Sequence, residues 1–197
     1  MKYIVIVPDG MADLPLEELS GKTPLEAAHT QNMDFLARNG NVGMVKTIPD
    51  GLKPGSEIGN LSLLGYDPKK VFSGRAPLEA ANLGINLAED EIAFRCNLVT
   101  ALDKKMVDYS AGHIKDTEAA LIINTLNEHL AAEGVRFYAG KSYRHIMVIK
   151  VRDIPEFLRI KCTPPHDIMG KEIDRYLPQG PGSKTLLKLM EKARIIL

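Results

Sequence analysis

Apolar and polar positions alternate along this chain in several distinct rhythms, and each rhythm predicts its own element. Ile4 to Val7 is a short unbroken β-branched run, the pattern of a central parallel strand buried on both faces. Thr23-Pro24-Leu25-Glu26 is a complete helix start, with threonine as N-cap, proline in the first turn and glutamate closing a capping box. The helical spacing continues through Met33, Phe35 and Leu36, with a break near Thr30, and stops at Gly40. Val42 to Ile48 reads as a second short strand, and Pro49 to Gly55 as a loop leading into a helix over Ser56 to Leu64. Another helix start follows at Ala76-Pro77-Leu78-Glu79, just after Arg75.

From about Asn86 the rhythm changes. Ile92 to Thr100 and Met106 to Tyr109 read as strands around a turn at Asp103-Lys104-Lys105, and Val135 to Ala139 and Tyr143 to Val151 as two more. Between the pairs lies a helix over Asp116 to Glu133, with Ala119, Leu121, Ile122, Leu126 and Leu130 as its apolar stripe and Gly134 as its stop. Strand, strand, helix, strand, strand is the order of a small α+β domain. Beyond it, Pro155 to Leu158 reads as a turn and Arg159 to Cys162 as a short strand. Ser183 is expected to cap a last helix bearing Leu186, Leu187, Leu189, Met190 and Ala193. That helix ends on Ile195-Ile196-Leu197, an apolar terminus that predicts a fragment or a chain in need of a partner.

Composition narrows the function classes. The chain has 197 residues, with 25 Lys and Arg against 25 Asp and Glu, so no overall field favours nucleic acid or an anionic membrane. The run Tyr3 to Val7 is too short to be a signal or membrane segment. Cys96 and Cys162 follow no metal-ligand spacing, and the expectation is a reduced cytoplasmic protein without a disulfide. A nucleotide-binding P-loop at Gly51 to Ser56 is excluded, because no Gly-Lys-Ser or Gly-Lys-Thr triplet follows the required gap.

Candidate chemistry gathers where the predicted elements end. Asp9 lies just past the C-terminal edge of the first strand, where ligands of open α/β sheets collect; Asp9-Gly10 is a hard-cation ligand or simply a turn. Ser56 opens a helix, where free N–H groups and the dipole favour an anion, and it is either a phosphate-handling hydroxyl or an ordinary cap. Arg75 offers a bidentate fork to a phosphate or carboxylate, or a surface salt bridge. His166 beside Asp167 is a metal or phosphate ligand, or a structural pair in a proline-rich loop.

Taken together, Val7-Pro8-Asp9-Gly10-Met11-Ala12-Asp13, Lys22 to Ala28, Pro54-Gly55-Ser56-Glu57, Asn60 to Pro68, Gly74 to Ala80, Phe94 to Thr100 and Pro164 to Ile168 resemble the archaeal-type 2,3-bisphosphoglycerate-independent phosphoglycerate mutases of the alkaline phosphatase superfamily. The likeness runs the length of the chain. It implies an α/β fold, a partial alkaline-phosphatase-like parallel-sheet core with an inserted α+β domain. Residues 1–88 would form the N-terminal part of the metal-binding core, 89–182 the inserted domain that closes on substrate, and 183–197 a helix returning to the core. The apolar face of that helix is expected against Ile4 to Val7 or the helix after Thr23.

The resemblance also implies roles. Asp9 and Ser56 would ligate one of two divalent metals, Mn²⁺ foremost with Mg²⁺, Zn²⁺ or Co²⁺ as alternatives. Ser56 would carry the phosphoryl group as 2- and 3-phosphoglycerate interconvert, with no bisphosphoglycerate cofactor. Candidate substrate contacts are Arg75, Arg95, Arg144 with His145, and His166. At Ala111-Gly112-His113-Ile114 an arginine is expected in many relatives, so a contact there would carry a pH-dependent charge. The remaining metal ligands of such enzymes come from a second half of the catalytic domain, so the residues here are expected to be a truncated chain, inactive alone. A small phosphorylated substrate and a homodimer through exposed core surface are the expected partners. A non-catalytic binding or regulatory remnant, or another metal-dependent phosphotransferase of the superfamily, is the alternative.

Overall fold

The computed structural model describes residues 1–197, the side chain of Glu133 excepted. The chain divides into two compact units, Met1–Phe72 and Ser73–Leu197.

The first unit is built from short helices: α1 (Pro24–Ala27), α2 (Gln31–Asn39), α3 (Ser56–Leu63) and α4 (Pro68–Val71), with a 3₁₀ turn at Glu17–Leu19. The capping box forms as the sequence predicts, Glu26 N–H donating to Thr23 Oγ1 at 3.2 Å and Thr23 N–H to Glu26 Oε2 at 2.8 Å. The break at Thr30 separates α1 from α2, and Gly40 ends α2. A helix that was not expected, α4, starts where Asp67 accepts the Lys69 N–H at 3.0 Å ahead of Pro68.

Two expectations in this unit are corrected. Neither Ile4–Val7 nor Val42–Ile48 forms a strand, and Ile4 and Met44 are 86% and 100% exposed. A parallel strand is held by neighbours that take up its N–H and C=O groups and cover both faces, and among the described residues no strand pairs with either run. Every paired strand described is antiparallel, so the structure is mixed α/β without the expected parallel sheet.

The second unit holds the core. Its elements are α5 (Arg75–Asn82), β1 (Glu91–Asn97), β2 (Thr100–Leu102), β3 (Lys105–Asp108), α6 (Asp116–Leu130), β4 (Val135–Tyr138), β5 (Arg144–Lys150), α7 (Ile154–Leu158) and α8 (Ser183–Ile196). β5 is the centre of a three-stranded sheet of order β1-β5-β4, while β2 and β3 form a separate hairpin. Side chains of β5 alternate across the sheet. Ile146 and Val148 meet Ala76 and Ala80 of α5 together with Ala93, whereas Met147 and Ile149 meet Ile123, Leu126 and Leu130 of α6 and Leu186 and Leu189 of α8. Edge strand β4 is blunted by Asn127 of α6, whose side chain accepts the Phe137 N–H at 2.7 Å and donates to the Phe137 carbonyl at 2.8 Å.

Several boundaries differ from the sequence reading for identifiable reasons. The run Ile92 to Thr100 is two strands, because after Asn97 the Leu98 N–H turns to the Tyr143 carbonyl at 2.9 Å and β2 leaves to pair with β3. The buried stripe of α6 is Ala119, Ile123, Leu126 and Leu130, so Ile123 replaces Leu121, which is exposed. Pro155 to Leu158 belongs to a helix rather than a turn, started by Asp153, which accepts the Glu156 N–H at 2.9 Å. Arg159 to Cys162 contributes only an isolated bridge, Lys161 to Gln179. The helix α8 is capped by Gly182 rather than Ser183. Its face expected against Ile4–Val7 is instead buried beside α6 through Leu186 and Leu189, and Met190 is exposed. Two leucines three apart on α8 match the groove that α6 leaves beside β5, and burying them there removes them from water.

Candidate functional site

In the first unit the structure joins the two residues that sequence chemistry singles out. Val7 accepts the Asp9 N–H at 3.0 Å and Gly10 takes φ +75°, so the chain turns sharply there and offers the Asp9 carboxylate outward. Ser56 is the first residue of α3, after an extended Gly55 that serves as N-cap. Its hydroxyl is therefore not the cap. It donates to Asp9 Oδ2 at 2.7 Å, across 47 residues of sequence. Both side chains are exposed. The pair puts a nucleophilic oxygen and a hard anionic oxygen side by side at a helix N-terminus, where the free N–H groups favour negative charge.

Two oxygen donors of this kind suit a hard divalent cation, although a catalytic ion takes about three protein ligands. Among the described residues no group of three or more His, Cys, Asp or Glu stands ready to hold a metal. Asp9 and Ser56 thus fit part of a metal site.

The basic residues lie in the second unit and meet different fates. Arg75 is exposed in the first turn of α5. Arg95 on β1 is ion-paired through Nε to Glu79 of α5 at 3.2 Å, which ties helix to sheet. Arg144 opens β5, exposed, with its guanidinium 5.8 Å from the centre of the Tyr143 ring. His145, the next residue, points inward and is 1% exposed, so the sequence placed it with Arg144 but the pleat sends the two to opposite sides. Gly140 N–H donates to its Nδ1 at 3.1 Å, and burial pushes the imidazole below its usual range, against a smaller opposing pull from Asp116. A ring so placed organises the 140–145 loop rather than touching solvent. His166 is exposed on a 3₁₀ turn (Pro165–Ile168), with Nε2 3.3 Å from Asp167 Oδ1.

Sequence reasoning missed what links Arg144 to His166. Tyr109 stands between them: its ring meets that of Tyr143 edge-on at 5.5 Å and 80°, and that of His166 at 6.2 Å and 71°. The loop carrying Tyr109 is tightly bound. Asp108 accepts the Ser110 hydroxyl at 2.7 Å, the Ser110 N–H at 2.8 Å and the Gly112 N–H at 2.7 Å, and these bonds hold its carboxyl below the usual carboxylate range. Ala111, Gly112 and His113 are all left-handed, at φ +50°, +68° and +54°, conformations that two of the three residue types resist. The spacing of Asp108 and Ser110 signals a turn, but nothing local in the sequence brings residues 109, 143 and 166 together.

The likenesses to known proteins run in the same direction. The family model for 2,3-bisphosphoglycerate-independent phosphoglycerate mutase matches residues 37–197. Proteins of that name from Methanosarcina barkeri and Methanothrix thermoacetophila are 51% and 52% identical over all of this chain, which covers 49% and 48% of their lengths. A cofactor-independent phosphoglycerate mutase from Thermoplasma acidophilum shares the fold with a TM-score of 0.53 and 28% identity, over 95% of this chain and 50% of that one. The chain spans about half the length of the relatives it matches. A family model that matches residues 37–197 and relatives about half identical along the whole chain place it: the chain belongs to the 2,3-bisphosphoglycerate-independent phosphoglycerate mutase family.

Proposed function

We propose that residues 1–197 supply the nucleophile-bearing half of an enzyme that interconverts 2- and 3-phosphoglycerate in the cytoplasm through a phosphoserine at Ser56. The observation that carries this is the 2.7 Å hydrogen bond from Ser56 Oγ to Asp9 at the start of α3. Ser56 Oγ bonds to phosphorus and gives up its proton, the phosphorus–oxygen bond to the substrate breaks, and that oxygen leaves as a hydroxyl of glycerate. Return of the phosphoryl group to the other hydroxyl restores Ser56, so the sequence needs no bisphosphoglycerate. Asp9 orients the serine hydroxyl. Asp9 and Ser56 would together hold one of two divalent ions, Mn²⁺ first and Mg²⁺, Zn²⁺ or Co²⁺ as alternatives. A bound ion supplies charge neutralisation on the phosphoryl oxygens and a lower pKa for the serine.

In the same proposal residues 1–88 belong to an alkaline-phosphatase-like core, 89–182 to a domain that closes on the small phosphorylated substrate, and 183–197 lead back to the core. Arg75, Arg144 and His166 are the exposed groups proposed to meet the substrate. Self-association through apolar surface such as Ile4 to Ile6 is part of the proposal, and light scattering at rising concentration checks it.

The test is direct. Residues 1–197 alone, with Mn²⁺ and 3-phosphoglycerate, are expected to show no steady formation of 2-phosphoglycerate, since two donors do not complete an ion site. Joined to the second half of the relatives' length, the same residues are expected to turn over, with phosphate on the Ser56 peptide in mass spectrometry. Ser56→Ala should abolish both while shifting stability by no more than about 1 kcal/mol, because the lost bond is exposed and alanine is the better helix former. Turnover by the alanine variant would place the nucleophile elsewhere.

A further inference from the structure

We propose that Tyr109 and Tyr143 are positioning residues: a two-ring platform that holds the heads of Arg144 and His166 on one side of the second unit, ready for the phosphate and carboxylate of the substrate. This rests on the mutase function above and adds residues that neither the family motifs nor the basic-residue pattern indicates. The row runs Arg144, Tyr143, Tyr109, His166, with separations of 5.8, 5.5 and 6.2 Å from one group to the next. Its two ends, a guanidinium and an imidazole, are exposed, whereas its two middle members are half-buried rings.

Three separate loops build the row, and each is pinned by its own bonds or backbone. Tyr109 is flanked by Asp108 and the buried Ser110, joined by hydroxyl and N–H bonds of 2.7 and 2.8 Å. Tyr143 follows Ser142, whose N–H donates to Asp116 Oδ1 at 2.6 Å and whose hydroxyl donates to the Ile114 carbonyl at 2.9 Å. The Tyr143 carbonyl in turn accepts the Leu98 N–H at 2.9 Å. His166 sits on a turn that Pro165 stiffens. A free arginine must lose much rotamer freedom on binding an anion. One laid against a fixed ring has lost part of it already, and its cation is drawn to the ring face. The edge-on contact of Tyr109 with His166 restrains the imidazole in the same manner.

The experiment measures 3-phosphoglycerate binding, in calorimetry, by residues 1–197 joined to the second half of the relatives' length, and follows the His166 ring protons by NMR. Tyr109→Leu should weaken binding about three- to tenfold and move the His166 signals, because the neighbouring ring current is gone. Tyr109→Phe should restore both, since the ring and not its hydroxyl makes the contact. In a His166→Ala background Tyr109→Leu should weaken binding much less, and Tyr143→Leu should behave likewise against Arg144→Ala. Should Tyr109→Leu lose its thermal transition, Tyr143→Leu carries the same comparison. The platform is overturned if leucine variants bind like the parent, if phenylalanine fails to rescue, or if the leucine loss is undiminished without its partner. If the parent chain shows no saturable binding, or Arg144→Ala and His166→Ala bind as the parent does, the proposed substrate site itself falls and takes the platform with it. Weakening by those two alanines with no effect from the tyrosines removes the platform alone.

Discussion

Acid should loosen the second unit through one side chain, His145. It is 1% exposed at the start of the central strand, and its Nδ1 accepts the Gly140 N–H at 3.1 Å, so it is held as the neutral ring. Burial keeps its folded pKa below the unfolded value of about 6.5, the Asp116 charge opposing only in part. Because the unfolded chain then binds the proton more readily, the contribution of His145 to stability is complete above about pH 6.5 and falls as the pH drops toward the folded pKa. One proton changes the unfolding free energy by at most about 1.4 kcal/mol per pH unit in that window. With a urea dependence of about 1–3 kcal/mol/M, the midpoint should move down by at most about 0.5–1.4 M per unit. His145→Asn separates this from every other titration, since an asparagine oxygen can accept the Gly140 N–H yet carries no proton equilibrium. Urea unfolding from pH 7.5 to 5, followed by circular dichroism, should give a shallower pH dependence for the asparagine variant. Equal slopes for parent and variant would show that His145 is not held neutral by burial.

Leu189→Ala removes a buried α8 side chain from the cluster around Ile123, Leu126 and Leu130, and should lower the stability of the second unit by about 2–5 kcal/mol in urea unfolding; a loss under 1 kcal/mol would mean that α8 does not dock there. Gly140→Ala would drive a methyl group into the Arg144 backbone carbonyl, and overpacking of this sort should cost about 1–3 kcal/mol with displaced amide signals across residues 140–145, whereas a parent-like melting temperature would contradict the close approach. Desolvation pushes the thiol of half-buried Cys96 up to about 11 and also raises that of Cys162, which is exposed, so at pH 8 Cys96 should alkylate more slowly than Cys162 in a mass-spectrometric time course, and equal rates would count against its partial burial.

Local chemistry made a good part of this molecule legible. The Thr23 capping box, the stop at Gly40, the helix opening at Ser56 and the left-handed Gly134 that closes the 3₁₀ turn after α6 all depend on hydrogen bonds and backbone angles within a few residues, and the sequence states those directly, although α6 itself ends at Leu130 rather than Glu133. The same holds for the candidate pair at its two ends, since Asp9 beside a glycine and Ser56 after Pro54-Gly55 each announce themselves locally. Tertiary structure decided what depends on distant partners. It left Ile4–Val7 and Val42–Ile48 without a ladder, because a strand exists only through the strands beside it. It chose Ile123 over Leu121, and α6 rather than the first strand as the seat of α8, because an apolar stripe says that it will be buried but not against what. It turned His145 inward beside an outward Arg144, and drew Tyr109, Tyr143 and His166 into one row from three loops. Contacts between residues far apart in sequence leave no periodic trace, and only the folded chain brings them within reach of one another.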